Sequence, residues 1–222
     1  MVSSLFVRPA RIAVCALACF FFLPGCETTD STSFRGSLQP TGFFDTVVID
    51  AGHGGHDPGA RPVRGQHEKH LALDTSRRIA SILRQSGLKV IETRSGDYFV
   101  PLDKRAAISN RTRNAVFVSI HYNWARRSKA AGVETFFCGA RSSRLAANIQ
   151  KEILRPYGAK DRGIKFRQFY VLKNNKRPAV LVELGFLSNP SENNKVQSAS
   201  TRQRLATAVA RGILAERSGR TP

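Results

Sequence analysis

From Phe43 onward, short β-rich apolar runs alternate with stretches whose apolar residues recur at helical spacing. Six runs read as strands: Thr46 to Asp50, Leu88 to Thr93, Val116 to Ile120, Val133 to Cys138, Gln168 to Leu172 and Ala179 to Leu184. Between the first two, Leu71, Leu73, Ile79, Ile82 and Leu83 mark one face of a helix, and Gly87 supplies its C-terminal stop. Further helices are expected over Arg105 to Arg113, Ser142 to Leu154 and Glu192 to Glu216. Strands alternating with helices predict an α/β fold, a single domain over residues 43–217 with a mostly parallel twisted sheet of about six strands flanked by helices. Residues 218–222 are left as a tail.

The chain before Phe43 follows another pattern. Arg8 and Arg11 precede an unbroken apolar run from Ile12 to Leu23, which reads as a secretory signal peptide and is too short to span a bilayer as a mature helix. Leu23-Pro24-Gly25-Cys26 then resembles the bacterial lipoprotein signal. That resemblance implies a leader over residues 1–25, lipidation of Cys26, and a flexible linker over residues 26–42, rich in Ser and Thr. A periplasmic protein anchored to a membrane follows, with the outer membrane favoured over the inner.

Charge and cysteines sharpen this picture. The 222 residues carry 35 Lys and Arg against 16 Asp and Glu, and the leader removes only Arg8 and Arg11. Such an excess suits an acidic partner, which for an exported chain means wall polymer or lipid; no nucleic-acid motif is present. Once Cys15 and Cys19 leave with the leader and Cys26 is acylated, Cys138 is the one thiol left. No intramolecular disulfide is then possible, and its apolar run makes Cys138 a buried, inert thiol.

Three of the buried runs end in residues that carry chemistry. The first leads into Ala51-Gly-His-Gly-Gly-His-Asp-Pro-Gly59, a tight glycine-rich loop presenting His53; the third delivers His121, and the last delivers Glu183. Carboxyl ends of parallel strands share one rim, where ligands bind. Glu68 opens the helix after the loop and is close enough in sequence to fold back on His53. Two imidazoles and a carboxylate form the protein half of a catalytic zinc site, and a second carboxylate is needed to move the proton of the attacking water. Singly, each of these residues has an ordinary explanation as a surface histidine or a helix-dipole carboxylate, and the pattern alone leaves both readings standing.

The wording of the motifs goes further. Asp50-Ala51-Gly52-His53-Gly54-Gly55 with Asp57-Pro58-Gly59-Ala60, then Glu68-Lys69, then Ser119-Ile120-His121 with Asn123, and finally Pro178-Ala-Val-Leu-Val-Glu183-Leu-Gly-Phe-Leu-Ser-Asn189 closely resemble the zinc-dependent N-acetylmuramoyl-L-alanine amidases of the autolysin and cell-division type. Thr93-Arg94, Leu102, Arg105 and Gly163-Ile-Lys match lesser landmarks of that family. The resemblance implies hydrolysis of the amide between the lactyl group of N-acetylmuramic acid and L-alanine in peptidoglycan. It implies one zinc ion on His53, Glu68 and His121, with Glu183 as general base and acid.

Some division amidases carry a blocking helix between the third and fourth motifs, and the short spacing from His121 to Glu183 implies an enzyme without one. Tyr122 and Trp124 replace smaller residues beside Asn123; they contact sugar or peptide, or they are packing residues. His56 is a further candidate for contact with substrate or a zinc ligand. Two other functions are weighed against the amidase. One is a catalytically silent wall-binding lipoprotein, opposed by the presence of both Glu68 and Glu183. The other is a penicillin-sensitive carboxypeptidase at Ser86 and Lys89, a Ser-x-x-Lys match that chance supplies about once in such a chain.

Overall fold

The computed structural model describes residue 34, residues 36–156 and 158–220, and residue 222. The expected leader over 1–25 and the Cys26 lipidation site lie outside the described residues. The strands are β1 (Thr46–Ala51), β2 (Lys89–Glu92), β3 (Ala115–Asn123), β4 (Val133–Phe137), β5 (Asp161–Phe166) and β6 (Ala179–Phe186). The helices are α1 (Glu68–Gln85), α2 (Leu102–Arg111), α3 (Ser143–Ile153), α4 (Tyr170–Lys173), α5 (Pro190–Gln197) and α6 (Ala199–Arg217). One sheet in the order β2-β1-β3-β6-β4-β5 holds all six strands. The first four in that order run parallel, while β4 pairs antiparallel with β6 and parallel with β5.

Alternation along the strands divides the core. Val47 and Ile49 of β1 join the large cluster built with α1, α3 and α6, whereas Val48 joins Phe117, Leu181, Val171 and Leu172 beneath α2 and α4. From β1 the chain crosses through α1 to β2 on one side, then through α2 to β3 on the other. The carboxyl ends of β1 and β3 therefore flank a topological switch point, the place where such sheets bind ligands.

Two expected elements differ. Gln168 to Leu172, read as a strand, becomes the short helix α4, because Phe169 takes an N-cap geometry and its carbonyl accepts from the Leu172 and Lys173 amides. The strand lies earlier, over Asp161-Arg-Gly-Ile-Lys-Phe166, an edge strand with few apolar residues and hence no apolar run to read. The single helix expected over Glu192 to Glu216 is two helices. Ser198 is extended at the break, and the buried Arg202 guanidinium caps α5 by donating to the Val196 and Gln197 carbonyls. Cys138 is a free thiol, half-buried beside the smaller core cluster.

Within the stretch read as a linker, Phe34, Gln39 and Thr41 contact the domain. The Phe34 amide donates to the Ile164 carbonyl of β5, and its ring meets Phe137 edge-on. Farther along, the Gln39 amide donates to Ser143 Oγ at 2.8 Å, and the Thr41 amide to the buried Glu216 carboxylate at 2.8 Å. Among the described residues, no helix is long and apolar enough to cross a membrane.

Helices α3 and α6 touch at Gly212, where an added Cβ would stand 2.5 Å from Ile149 Cα and 2.8 Å from its nitrogen. Gly212→Ala is expected to lower unfolding free energy by about 1–3 kcal/mol, read as a fall in the urea midpoint. Helix α1 is tied to α6 through Asp74, whose carboxylate accepts from Arg78 and Arg202. Burial pushes the Asp74 pKa up, but those two guanidiniums outweigh it and the net shift is downward. A carboxylate depressed in the folded state stabilises above its unfolded pKa, and that contribution fades as pH falls through the folded value. Asp74→Asn should thus lower stability at neutral pH and flatten its decline below about pH 4 in a pH series of denaturation curves.

Candidate active site

The site begins with a turn that the backbone would not adopt unaided. Gly52 extends the ladder one step by donating to the Ile120 carbonyl, and His53 then sits at φ 61°, in the left-handed region unfavourable for a side-chain-bearing residue. Two buried arginines hold this turn. Arg94 donates to the Ala51, Gly52 and Lys69 carbonyls, at 2.9, 2.7 and 2.7 Å. Arg105 donates to the Ala51 and His53 carbonyls, both at 2.6 Å, and to Asp50 Oδ1 at 2.9 Å. Asp50 in turn accepts from Thr93 Oγ1 and Ser119 Oγ, both at 2.6 Å, tying β1 to the β2 end and to β3.

His53, Glu68 and His121 meet above this turn, with ligand atoms all within 4.8 Å of one another. Glu68 Oε2 lies 3.1 Å from His53 Nε2, and Oε1 lies 2.8 Å from His121 Nδ1. The same carboxylate is fixed by the Ala60 amide at 2.7 Å and the Tyr122 amide at 2.9 Å. Close approach demands glycine at two points. A Cβ on Gly52 would stand 2.3 Å from the His121 ring, and one on Gly59 would stand 2.6 Å from both Glu68 Oε2 and the His53 ring. Behind the cluster, Asp57 Oδ2 accepts from His53 Nδ1 at 2.7 Å and orients that ring.

Electrostatics agree with a cation site. Burial alone would lower the His53 pKa, but the Glu68 and Asp57 carboxylates outweigh it and raise it. Burial would raise the Glu68 pKa, yet its bonds to His121 and His53 drive it far down, so the carboxylate stays ionised. Two imidazoles and one shielded carboxylate, gathered at one point beside a cavity, fit a catalytic zinc ion, which takes three protein ligands and keeps one position open.

That cavity has a volume of about 430 Å³ and is lined by Glu183 as well as by the cluster. Glu183 lies on β6 directly beside His121 of β3 in register, and beside Glu134 of β4 on its other flank. Its Oε2 is shielded from solvent and has no hydrogen-bond partner among the described residues. Burial first, then the Glu68 and Glu134 charges, pushes the Glu183 pKa well above the usual carboxylate range. Glu134 is itself buried and fully engaged, accepting from Asn123 Nδ2 at 2.7 Å, Arg162 Nε at 3.1 Å and Lys165 Nζ.

The structure thus brings His53, Glu68, His121 and Glu183 together as the sequence pattern expects. Asn123 also lines the cavity, with its amide held between Glu134 and the Trp124 backbone amide. Trp124 stands half exposed at the cavity wall; Tyr122 lines the cavity too, but its side chain is buried in the core, with its hydroxyl 2.7 Å from Thr75 Oγ1. His56 is exposed and stacks on Phe99 without lining the cavity; the ligand-orienting contact belongs to Asp57 instead. Phe99, Leu102, Phe169 and Tyr170 complete an apolar wall, of which sequence reading missed Phe169 and Tyr170 because 168–172 looked like a buried strand. Ser86 and Lys89 form no second site. Ser86 caps α1 by donating to the Ile82 carbonyl, and the Lys89 amine, on the edge strand β2, lies 4.0 Å from Asp45.

Comparison with known proteins agrees with this geometry. A model of the family described as N-acetylmuramoyl-L-alanine amidase, Amidase_3, matches residues 47–215. The uncharacterised Bacillus subtilis protein YqiI is 40% identical over 172 residues, covering 76% of this chain and 82% of YqiI. The N-acetylmuramoyl-L-alanine amidase LytC of Bacillus subtilis is 34% identical over 87% of this chain, which spans only 40% of LytC. Among solved structures, the catalytic domain of the amidase CwlV from Bacillus (Paenibacillus) polymyxa superposes with a TM-score of 0.74 at 37% identity, over 77% of this chain and 96% of that one. With a family match running from β1 into α6 and a fold and metal cluster to accompany it, the chain belongs to the N-acetylmuramoyl-L-alanine amidase family.

Proposed function

We propose that this amidase-family enzyme hydrolyses the amide between the lactyl group of N-acetylmuramic acid and the L-alanine of the peptidoglycan stem peptide. The carrying observation is the unpartnered, shielded Oε2 of Glu183 in the cavity beside the His53, Glu68 and His121 cluster. His53, Glu68 and His121 would hold the zinc, which would supply a Lewis acid able to polarise a carbonyl and acidify a water. Glu183 accepts the proton of the attacking water and passes it to the leaving amide nitrogen, a shuttle to which its raised proton affinity suits it. Asp57 fixes the ring of His53 through Nδ1, so that Nε2 faces the cluster.

The same reading makes the enzyme active without an activator. The described residues between His121 and Glu183 fold into β4, α3, β5 and α4, and the His53 and His121 side chains keep 23% and 17% of their surface exposed. It also places the chain in the periplasm, joined to a membrane, the outer in preference to the inner, by lipid on Cys26; the support is the Leu23 to Cys26 sequence after an apolar leader. A silent wall binder would need neither the proton-carrying Glu183 nor a complete ligand triad.

The direct test is mass spectrometry of purified peptidoglycan fragments incubated with the protein, with zinc and again with a chelator. Stem peptides beginning with free L-alanine are expected only with zinc; binding without cleavage would favour the silent wall binder. Glu183→Ala should lower turnover by about a thousandfold or more while elemental analysis still finds one zinc per chain. Loss of zinc from that variant would overturn the division of roles. Asp57→Ala should weaken zinc affinity by about 10- to 100-fold in a competition titration.

A further inference from the structure

A second, shallower pocket of about 220 Å³ adjoins the catalytic cavity, and the exposed ring of Trp124 lines both. Its walls come from three segments: Arg61 to Val63, Trp124 to Arg126 with Ser128, and Ser188. These segments are tied together, since the Leu187 carbonyl accepts from the Val63 amide, the Asn123 carbonyl from the Leu187 amide, and Ser188 Oγ from the Ala125 amide. Arg61 directly follows Ala60, whose amide holds the Glu68 carboxylate. Both Arg61 and Arg126 are exposed, and neither forms an ion pair with a described residue.

The catalytic cavity offers no free guanidinium or ammonium. Its one arginine, Arg105, is buried and spent on Asp50 and three backbone carbonyls. Part of its wall is aromatic and apolar. A substrate cleaved at the lactyl amide extends both ways from the bond: towards sugar rings on one side, and on the other towards a peptide whose second residue carries a free carboxylate. That carboxylate is attracted by the arginine pair, and one residue of chain spans at most about 3.6 Å, so it lies near the bond.

Deepening the amidase reading, on which it rests, we infer that Arg61 and Arg126 form the subsite for the acidic stem peptide, which crosses Trp124 to reach them. The sugar side of the substrate then lies towards the aromatic wall. Arg61 and Arg126 set specificity by binding and take no part in bond cleavage.

The test compares N-acetylmuramoyl-L-alanyl-D-glutamate γ-methylamide, whose one carboxylate is the α-group, with its D-isoglutamine counterpart, in which that group too is an amide. The full chain and its R61Q/R126Q variant are assayed on both. At low salt the unaltered protein should show a KM about fivefold lower for the acid, with similar kcat for the two substrates. R61Q/R126Q should erase the preference by raising KM for the acid alone, and high salt should do the same. Equal KM values in the unaltered protein, or a preference that survives in the variant, would overturn the subsite. Calorimetric titration with L-alanyl-D-glutamate γ-methylamide and its α-amide reads the same pocket without catalysis. Weaker acid-peptide binding by the variant supports the subsite even if neither muramoyl peptide is cleaved, an outcome that would sink the amidase reading alone; equal binding by both proteins refutes the subsite even where cleavage is normal.

Discussion

The geometry of the site depends on how the chain is held where β1 ends. Three successive carbonyls, of Ala51, Gly52 and His53, point away from any sheet or helix partner at the point where the first metal-ligand candidate is presented. Buried carbonyls need donors, and the guanidiniums of Arg94 and Arg105 supply them in fixed planar arrays that an ammonium could not reproduce. Asp50 supplies the compensating charge from within the strand. Removal of Asp50 would leave Arg105 without a counter-charge at full burial, a far larger cost than any surface ion pair carries.

The legible part of this arrangement was local. Buried β-branched runs ending at His53, His121 and Glu183 show in the sequence because strand and loop are encoded by neighbouring residues. Asp57 was quoted within a motif, yet its bond to His53 depends on the loop doubling back through the Gly54 and Asp57 bridge. Arg94 and Arg105 stood out as landmarks, but their targets in the turn after β1 lie more than forty positions earlier, and spacing alone cannot name such partners. The wall formed by Phe169 and Tyr170 was lost for another reason. Aromatic and β-branched residues in succession fit a strand as well as one turn of helix, and the decision was made by β5, an edge strand too polar to be seen.

The division of the core by the sheet also separates two kinds of work. On the face covered by α1, α3 and α6, long helices meet closely enough to require Gly212, and substitutions there act on stability. On the other face, α2 and the one-turn helix α4 form a thinner layer whose outer side chains line the cavity. The cavity wall is thus supplied in part by short segments, while the metal cluster is built on the turn after β1, on β3 and on the first turn of α1.

The docked Phe34 has a consequence for the sheet's border. An outermost strand with open backbone groups is a template on which another chain can add, and β5 is such a strand. Here the Phe34 amide occupies the Ile164 carbonyl, and its ring covers Phe137, so the upstream segment works as a selvedge that finishes the weave. At the opposite border β2 needs no cover, being only four residues long, with Lys89 exposed at its start. A chain trimmed to residues 43–217 would keep the metal cluster and leave the Ile164 carbonyl of β5 without the Phe34 amide.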